Sequence, residues 1–260
     1  MMILEKVKIA QDKAIKAVAK NYNTLDYSTK LVALLNSIYP AENFNHLSKY
    51  DLHKLVNDTL FENHNGEEIL KYKLFECYQK KQSIVAAFEI KVKNSRVDFL
   101  TINGNTTSFE IKSELDTLTK LKKQMADYLL AFEYNYLVID HSHIEKVKEM
   151  LPAGFGLWSY KNGKYRKSIK SELNTNIDPE VQLSLLTKKE LTFNFPEEGG
   201  AINRILSNYH QETINYNFKG ILKERYKGRW QFLKSNHNSI FPIDLQFFFN
   251  TNITPNDVYY

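Results

Sequence analysis

The stretch SRVDFLTINGNTTSFEIKS, residues 95–113, decides the fold. SRVDFLTIN reads as a strand that buries Val97 and Phe99, with Leu100 and Ile102 beside them, and TTSFEIKS reads as its returning partner. Between them Asn103-Gly104-Asn105 makes a hairpin turn, because Asn and Gly tolerate positive φ. Antiparallel pairing about that turn sets Asp98, five residues before Asn103, opposite Glu110, five after Asn105. Directly opposed side chains have Cβ atoms roughly 5 Å apart. Two carboxylates so placed repel unless a cation bridges them, and Mg²⁺ takes oxygen ligands of this kind. Glu110 and Lys112 share one face of their strand, as do Arg96 and Asp98 on theirs. A lysine beside such a pair can position a nucleophile or stabilise developing negative charge. An E-x-K triplet alone is a frequent accident of an amphipathic strand.

The pattern extends on both sides. EEILKYKLFECYQKK reads as a helix with Ile69, Leu70, Leu74 and Cys77 inside, and SIVAAFEIKVK as a strand. After the hairpin, TLTKLKKQMADYLLAFEY carries Leu118, Leu121, Met125, Leu129 and Phe132 at helical spacing. YNYLVID is a buried strand, and Ser142 with Glu145 forms an expected capping box for HIEKVKEML. FGLWSY, Asn162-Gly163 and KYRKSI read as a closing hairpin. Helix, three strands, helix, strand, helix and hairpin define an α/β (α+β) protein with a mixed central sheet.

Residues 1–64 read as helical. Ile9, Ala14, Ile15, Ala17 and Val18 form one stripe, TKLVALLNSIY a second helix ended by Pro40, and a third starts at Ser48 or Asp51. Gly66 marks a boundary, so the chain divides into a helical region 1–64, a core 65–172 and a mainly helical region 173–260. VQLSLLTKKELTFNF fits strand or helix, GGAINRILSNYHQETI and NFKGILKERYKGRWQFL are helices, and the tail from Asn236 reads as extended or loosely packed.

A charged fraction of 25% and 32 Phe and Tyr residues describe a folded chain, and the net charge of +5 is compatible with a polyanionic partner. No apolar window of about 18 residues suggests a membrane span. The start of the chain lacks the apolar run of a signal peptide. A cytoplasmic protein is the expectation. One cysteine, Cys77, excludes an internal disulfide and a thiolate zinc site, and reads as a half-buried core thiol.

Residues 95–132 resemble the core of a little-characterised bacterial family within the PD-(D/E)xK, restriction-endonuclease-like, nuclease superfamily. The family pattern is RxDxxxxNG, a short turn, then EIKSxxDTLxxLxxQ. Arg96, Asp98, Asn103, Gly104, Glu110, Ile111, Lys112, Ser113, Asp116, Thr117, Leu118, Leu121 and Gln124 carry it. Val97 stands where the superfamily's name has proline. The resemblance implies an αβββαβ core flanked by helical ends.

It further implies catalysis by Asp98, Glu110, Lys112 and Gln124, with Mg²⁺ (or Mn²⁺) held by Asp98, Glu110 and Glu89. Glu67 or Glu68 would be the accessory helix carboxylate, and Gln124 with Tyr128 resembles the Q-x-x-x-Y element of RecB-like nucleases. Lys120, Arg96, Lys223, Arg225 and Arg229 are the expected nucleic-acid contacts. The expected activity is metal-dependent hydrolysis of phosphodiester bonds in DNA. The alternative is a catalytically inactive nuclease-fold module that binds nucleic acid or a protein partner.

Overall fold

A computed structural model describes residues 2–64, 66–161, 163–251 and 253–260, with residues 2–9 described by backbone alone. The expected turn residue Asn162, the core's first residue Asn65 and the packing of Ile9 lie outside the described residues. Two compact units emerge: Met1–Tyr72 with Phe232–Tyr260, and Lys73–Gln231. Residues 232–260 thus group with the helical beginning of the chain.

In the first unit α1 (Met2–Asn21), α2 (Ser28–Ile38) and α3 (Lys49–Asn63) share a core of Ile15, Val18, Leu31, Leu35, Leu52, Val56 and Leu60. Ser48 caps α3 by accepting from the Asp51 N–H, as expected for a short polar side chain at that position. The tail is a correction to the sequence reading. It forms α11 (Leu245–Asn250) and α12 (Pro255–Tyr259), and buries Leu245, Phe248, Phe249, Val258 and Tyr259. Thr254 and Asp257 make a reciprocal capping box there. Asp244, fully buried, accepts from Tyr22, Asn57 and Tyr259 at Oδ2 and from Thr24 at Oδ1, so both buried carboxylate oxygens find donors.

The second unit is built on one mixed sheet. Among the described residues its order is β1-β2-β3-β4-β5-β6: β1 (Val85–Val92), β2 (Ser95–Asn103), β3 (Asn105–Lys112), β4 (Tyr134–Asp140), β5 (Gly156–Lys161) and β6 (Lys164–Ile169). The first three strands are antiparallel, β4 lies parallel to both β3 and β5, and β6 closes antiparallel. The α/β class with a mixed sheet flanked by helices is as the sequence order indicates.

One face of the sheet is aromatic. Phe109 stacks on Tyr136 at 5.5 Å and meets Trp158 at 5.4 Å, while Tyr78 from α4 (Glu67–Tyr78) sits 5.7 Å from Phe109. Burying rings of this size is worth about 1.5–3 kcal/mol each. The other face receives α5 (Leu121–Leu129) through Leu121, Met125 and Tyr128. Among the described residues no helix is long and apolar enough to cross a membrane.

Three local readings change. Cys77 is exposed, because the buried stripe of α4 runs through Leu70, Leu74 and Phe75 and leaves the thiol at its edge. The helix after β4 is short, α6 (Ile144–Lys148), and the turn before it is capped by Asp140 accepting from the Ser142 N–H, not by a Ser142 box. α5 starts at Leu121 rather than Thr117, since Ser113 and Asp116 tie the preceding residues into a turn. Farther on, VQLSLLTKKELTFNF resolves into α7 (Pro179–Ser184) and α8 (Lys188–Asn194), followed by α9 (Ile202–Asn208) and the long α10 (Gln211–Asn236).

Candidate metal and phosphate site

The β2–β3 hairpin has the expected register, with Asn103 paired to Asn105, Phe99 to Phe109, and Gly104 at φ +72°. Continuing that register places Asp98 against Glu110. The paired ladder ends one step earlier, and Asp98 spans the gap by accepting from the Ile111 N–H at 2.6 Å. A carboxylate that caps a backbone donor in this way holds the two strand ends at a defined separation.

On its other side Asp98 faces β1. The pairs Phe88–Phe99 and Ile90–Val97 flank it, so Glu89 occupies the opposing position. Glu89 has φ +59°, a left-handed backbone inside a strand. For a non-glycine residue this costs about 1–2 kcal/mol. At this position carboxylate oxygens of Glu89 and Asp98 lie within 4.8 Å of one another. Arg96, on the Asp98 face of β2, reaches Glu89 Oε2 at 3.4 Å. Two carboxylates at this spacing supply hard oxygen donors suited to Mg²⁺ or Mn²⁺.

Glu110 is fully buried one strand over. Its Oε1 accepts from Lys112 Nζ at 2.5 Å, and its Oε2 accepts from the Tyr128 hydroxyl. The same hydroxyl lies 2.6 Å from the Arg96 carbonyl oxygen, so one proton serves two acceptors. Burial, then the Glu110 and Asp98 carboxylates, push the Tyr128 phenol far above its ordinary range, while a hydrogen bond from Gln124 works the other way. Tyr128 is a neutral donor throughout the physiological range. Gln124 keeps a buried amide oxygen with no hydrogen-bond partner.

The structure thus gathers Asp98, Glu89, Glu110, Lys112, Gln124, Tyr128 and Arg96 around β1–β3 and α5. Lys120 is exposed just before α5. Glu67 and Glu68 lie in the first turn of α4, within the first unit, where Glu67 pairs with Lys71 at 2.6 Å. On α10, Arg229 is exposed and Lys223 half-buried. Arg225 is taken up within the fold: its Nε donates to Glu190 at 2.7 Å, and its Nη2 to Glu190 and to the Leu185 carbonyl. Its geometry suits a bracket between α8 and α10 better than a phosphate contact.

Sequence reasoning missed Asp127, which accepts from Ser95 at 2.5 Å and, with its neighbour Tyr128, docks α5 on the start of β2. An Asp-Tyr pair on the buried side of an otherwise amphipathic helix was the available signal. Ser113 and Asp116, part of the matching motif, hold the loop after β3, and His143 Nε2 lies 3.1 Å from the Ser113 carbonyl.

Fold and site together define a mixed α/β protein with an acidic pair and a lysine–glutamate pair on adjacent strands. The chain belongs to the family of bacteriophage P4 protein cII, whose model matches residues 55–249. No curated protein matches it. A solved protein of unknown function from Silicibacter pomeroyi is similar at a TM-score of 0.34 and 18% identity, over 55% of this chain and 93% of that one.

Proposed function

We propose that the second unit is a Mg²⁺- or Mn²⁺-dependent nuclease that hydrolyses phosphodiester bonds in DNA, acting in the cytoplasm. The observation that carries this reading is the left-handed Glu89, which sets its carboxylate against Asp98 beside the Glu110–Lys112 pair. Backbone strain that brings like charges together is characteristic of sites where the distortion serves chemistry. Asp98 and Glu89 would hold the ion, with Glu110 as the further ligand that the resemblance to PD-(D/E)xK nucleases implies. When bound there, the ion would polarise the scissile phosphate and acidify a water.

The chain's own residues do the rest. Lys112 presents its ammonium to the phosphate and stabilises the charge that builds on it. As it turns to that phosphate, Oε1 of Glu110 is released. Tyr128, neutral and fixed between Glu110 and the Arg96 carbonyl, holds the Glu110 carboxylate in place while Lys112 moves. Arg96, exposed beside Glu89, meets the flanking backbone phosphates.

A second reading has its own support. Both oxygens of Glu110 are engaged, and Lys112 is paired to it, as in a fold that binds nucleic acid or a protein partner without cutting. Cleavage of plasmid and oligonucleotide DNA with Mg²⁺ and with Mn²⁺ separates the two. Wild-type protein should cut, and Asp98→Asn and Lys112→Met should each lose at least 100-fold, the scale of one electrostatic catalytic group. Equal rates in all three would overturn the nuclease reading; no cutting with intact DNA binding would favour the second.

A further inference from the structure

The aromatic face of the sheet ends in a pocket that the proposed reaction does not use. Tyr78, Trp158 and Tyr165 floor a cavity of about 660 Å³, within the range of small-ligand sites. Lys81, Lys164 and Lys167 stand around it. Lys81 Nζ lies 4.6 Å over the Tyr78 ring and Lys167 Nζ 4.5 Å over Trp158. Lys73 also lines it, paired to Glu76 at 2.8 Å, so four lysines face one carboxylate.

This pocket is separate from the carboxylate site. Trp158 shares its face of the sheet with Phe109 and Tyr136, whereas Glu110 and Lys112 alternate with Phe109 and Ile111 and point to the α5 side. The strand order puts β5 two strands from β3, roughly 10 Å across the sheet.

We infer that this pocket binds a nucleotide: an aromatic base against the ring floor and a phosphate among the lysines. Ammonium groups poised over ring faces are held by cation–π attraction. An incoming phosphate draws them off, and the exposed π-surface then stacks on the base, the pairing that single-stranded nucleic-acid sites use. A purely acidic ligand would leave the rings unsatisfied, and an apolar one would bury the ammoniums.

Cys77 lines the same pocket and is the chain's one cysteine, so its alkylation rate reports occupancy. The experiment follows iodoacetamide labelling of Cys77 and tryptophan fluorescence in the full chain, with dAMP, a short single-stranded oligothymidylate, or inorganic phosphate. Saturable protection by dAMP or by the oligonucleotide is expected, weakening with salt. Protection by dAMP identifies a free nucleotide as sufficient; protection by the oligonucleotide alone identifies the occupant as nucleic acid. The double variant Lys81→Gln with Lys167→Gln should bind at least tenfold more weakly, because both exposed cations are lost. Asp98→Asn should bind as wild type whether or not the protein cuts DNA, which keeps this site distinct from the nuclease reading. Absence of protection, equal protection by phosphate alone, or unchanged affinity in the double lysine variant would overturn the inference.

Discussion

Glu89 stands across the β1–β2 pair from Asp98 at the point where β1 turns left-handed. The two carboxylates come within 4.8 Å, so backbone strain and two acidic groups coincide at one spot. Glycine adopts φ +59° without the Cβ penalty. Glu89→Gly should therefore hold or raise the stability of metal-free protein, by up to about 1 kcal/mol after glycine's own entropic cost. The contact to exposed Arg96 offsets about 0–1 kcal/mol of that gain, and the further contacts of the Glu89 carboxyl add to the offset. Urea unfolding measures the difference; a loss well beyond 1 kcal/mol would show that the Glu89 side chain supports the fold rather than straining it.

Asp98 has a structural duty as well as its proposed chemical one. Its carboxylate accepts from the Ile111 N–H. Asp98→Ala leaves that buried donor unpaired and should cost about 1–3 kcal/mol. Asp98→Asn keeps an acceptor oxygen and should cost less. If Asn and Ala destabilise equally while the amide of Ile111 exchanges at the wild-type rate, the bond has no energetic weight. Cleavage assays accordingly belong with the Asn variant.

Tyr128 ties α5 to two strands through one hydroxyl. Tyr128→Phe removes that oxygen and leaves Glu110 and the Arg96 carbonyl each short of a donor, a loss of about 1–3 kcal/mol. Thermal unfolding of the variant gives the number. A change within 0.5 kcal/mol, the range of ordinary surface substitutions, would mean water takes over both bonds.

The sheet order was readable because each strand carries a strong local signal. The Asn103-Gly104-Asn105 turn sets the register of β2 and β3, and YNYLVID coincides with β4. The positions of Asp98, Glu110 and Lys112 follow from period-two alternation alone. What alternation cannot show is a residue that breaks it. Glu89 reads as an ordinary strand glutamate, and nothing in the neighbouring sequence announces its positive φ. The tail departs from its sequence pattern for a related reason. Its Asn and Pro content suggests open chain, yet Pro242 and Pro255 sit at helix starts where a missing N–H costs nothing. Asp244 acquires meaning only when Tyr22, Asn57 and Tyr259 surround it, contacts that span up to 222 positions.

Arg225 and Arg229 lie on one basic helix but should behave differently. Arg225 bridges to Glu190, whose carboxyl those hydrogen bonds hold below its ordinary range against the opposing effect of burial. Arg225→Gln should cost about 1 kcal/mol of stability and leave the salt dependence of the proposed DNA binding unchanged. Arg229 is exposed, so Arg229→Gln should cost at most about 0–1 kcal/mol, the worth of a surface contact, and should reduce the salt slope of the proposed DNA binding by about one ion. Binding titrations at several salt concentrations decide it, and a reduced slope in Arg225→Gln alone would reverse the assignment.

His53 makes the first unit acid-sensitive. It is fully buried, with Nδ1 2.9 Å from the Tyr22 hydroxyl and Nε2 without a partner. Burial first, then Lys49, lowers its pKa to about 4, with Asp26 acting in the opposite direction. Between pH 6.5 and pH 4 the unfolded chain binds a proton that the folded chain refuses, so His53 makes stability fall as pH drops through that window. The full effect is on the order of 3 kcal/mol. Asp244 works the other way: burial raises its carboxyl, so the folded chain binds that proton more readily and gains stability as pH falls. The two are separated by His53→Gln, which removes one titration and leaves the other. Wild-type stability relative to the variant should fall steadily from pH 7 to pH 4 in urea unfolding. A difference that stays constant over that range would mean His53 is not the group that titrates.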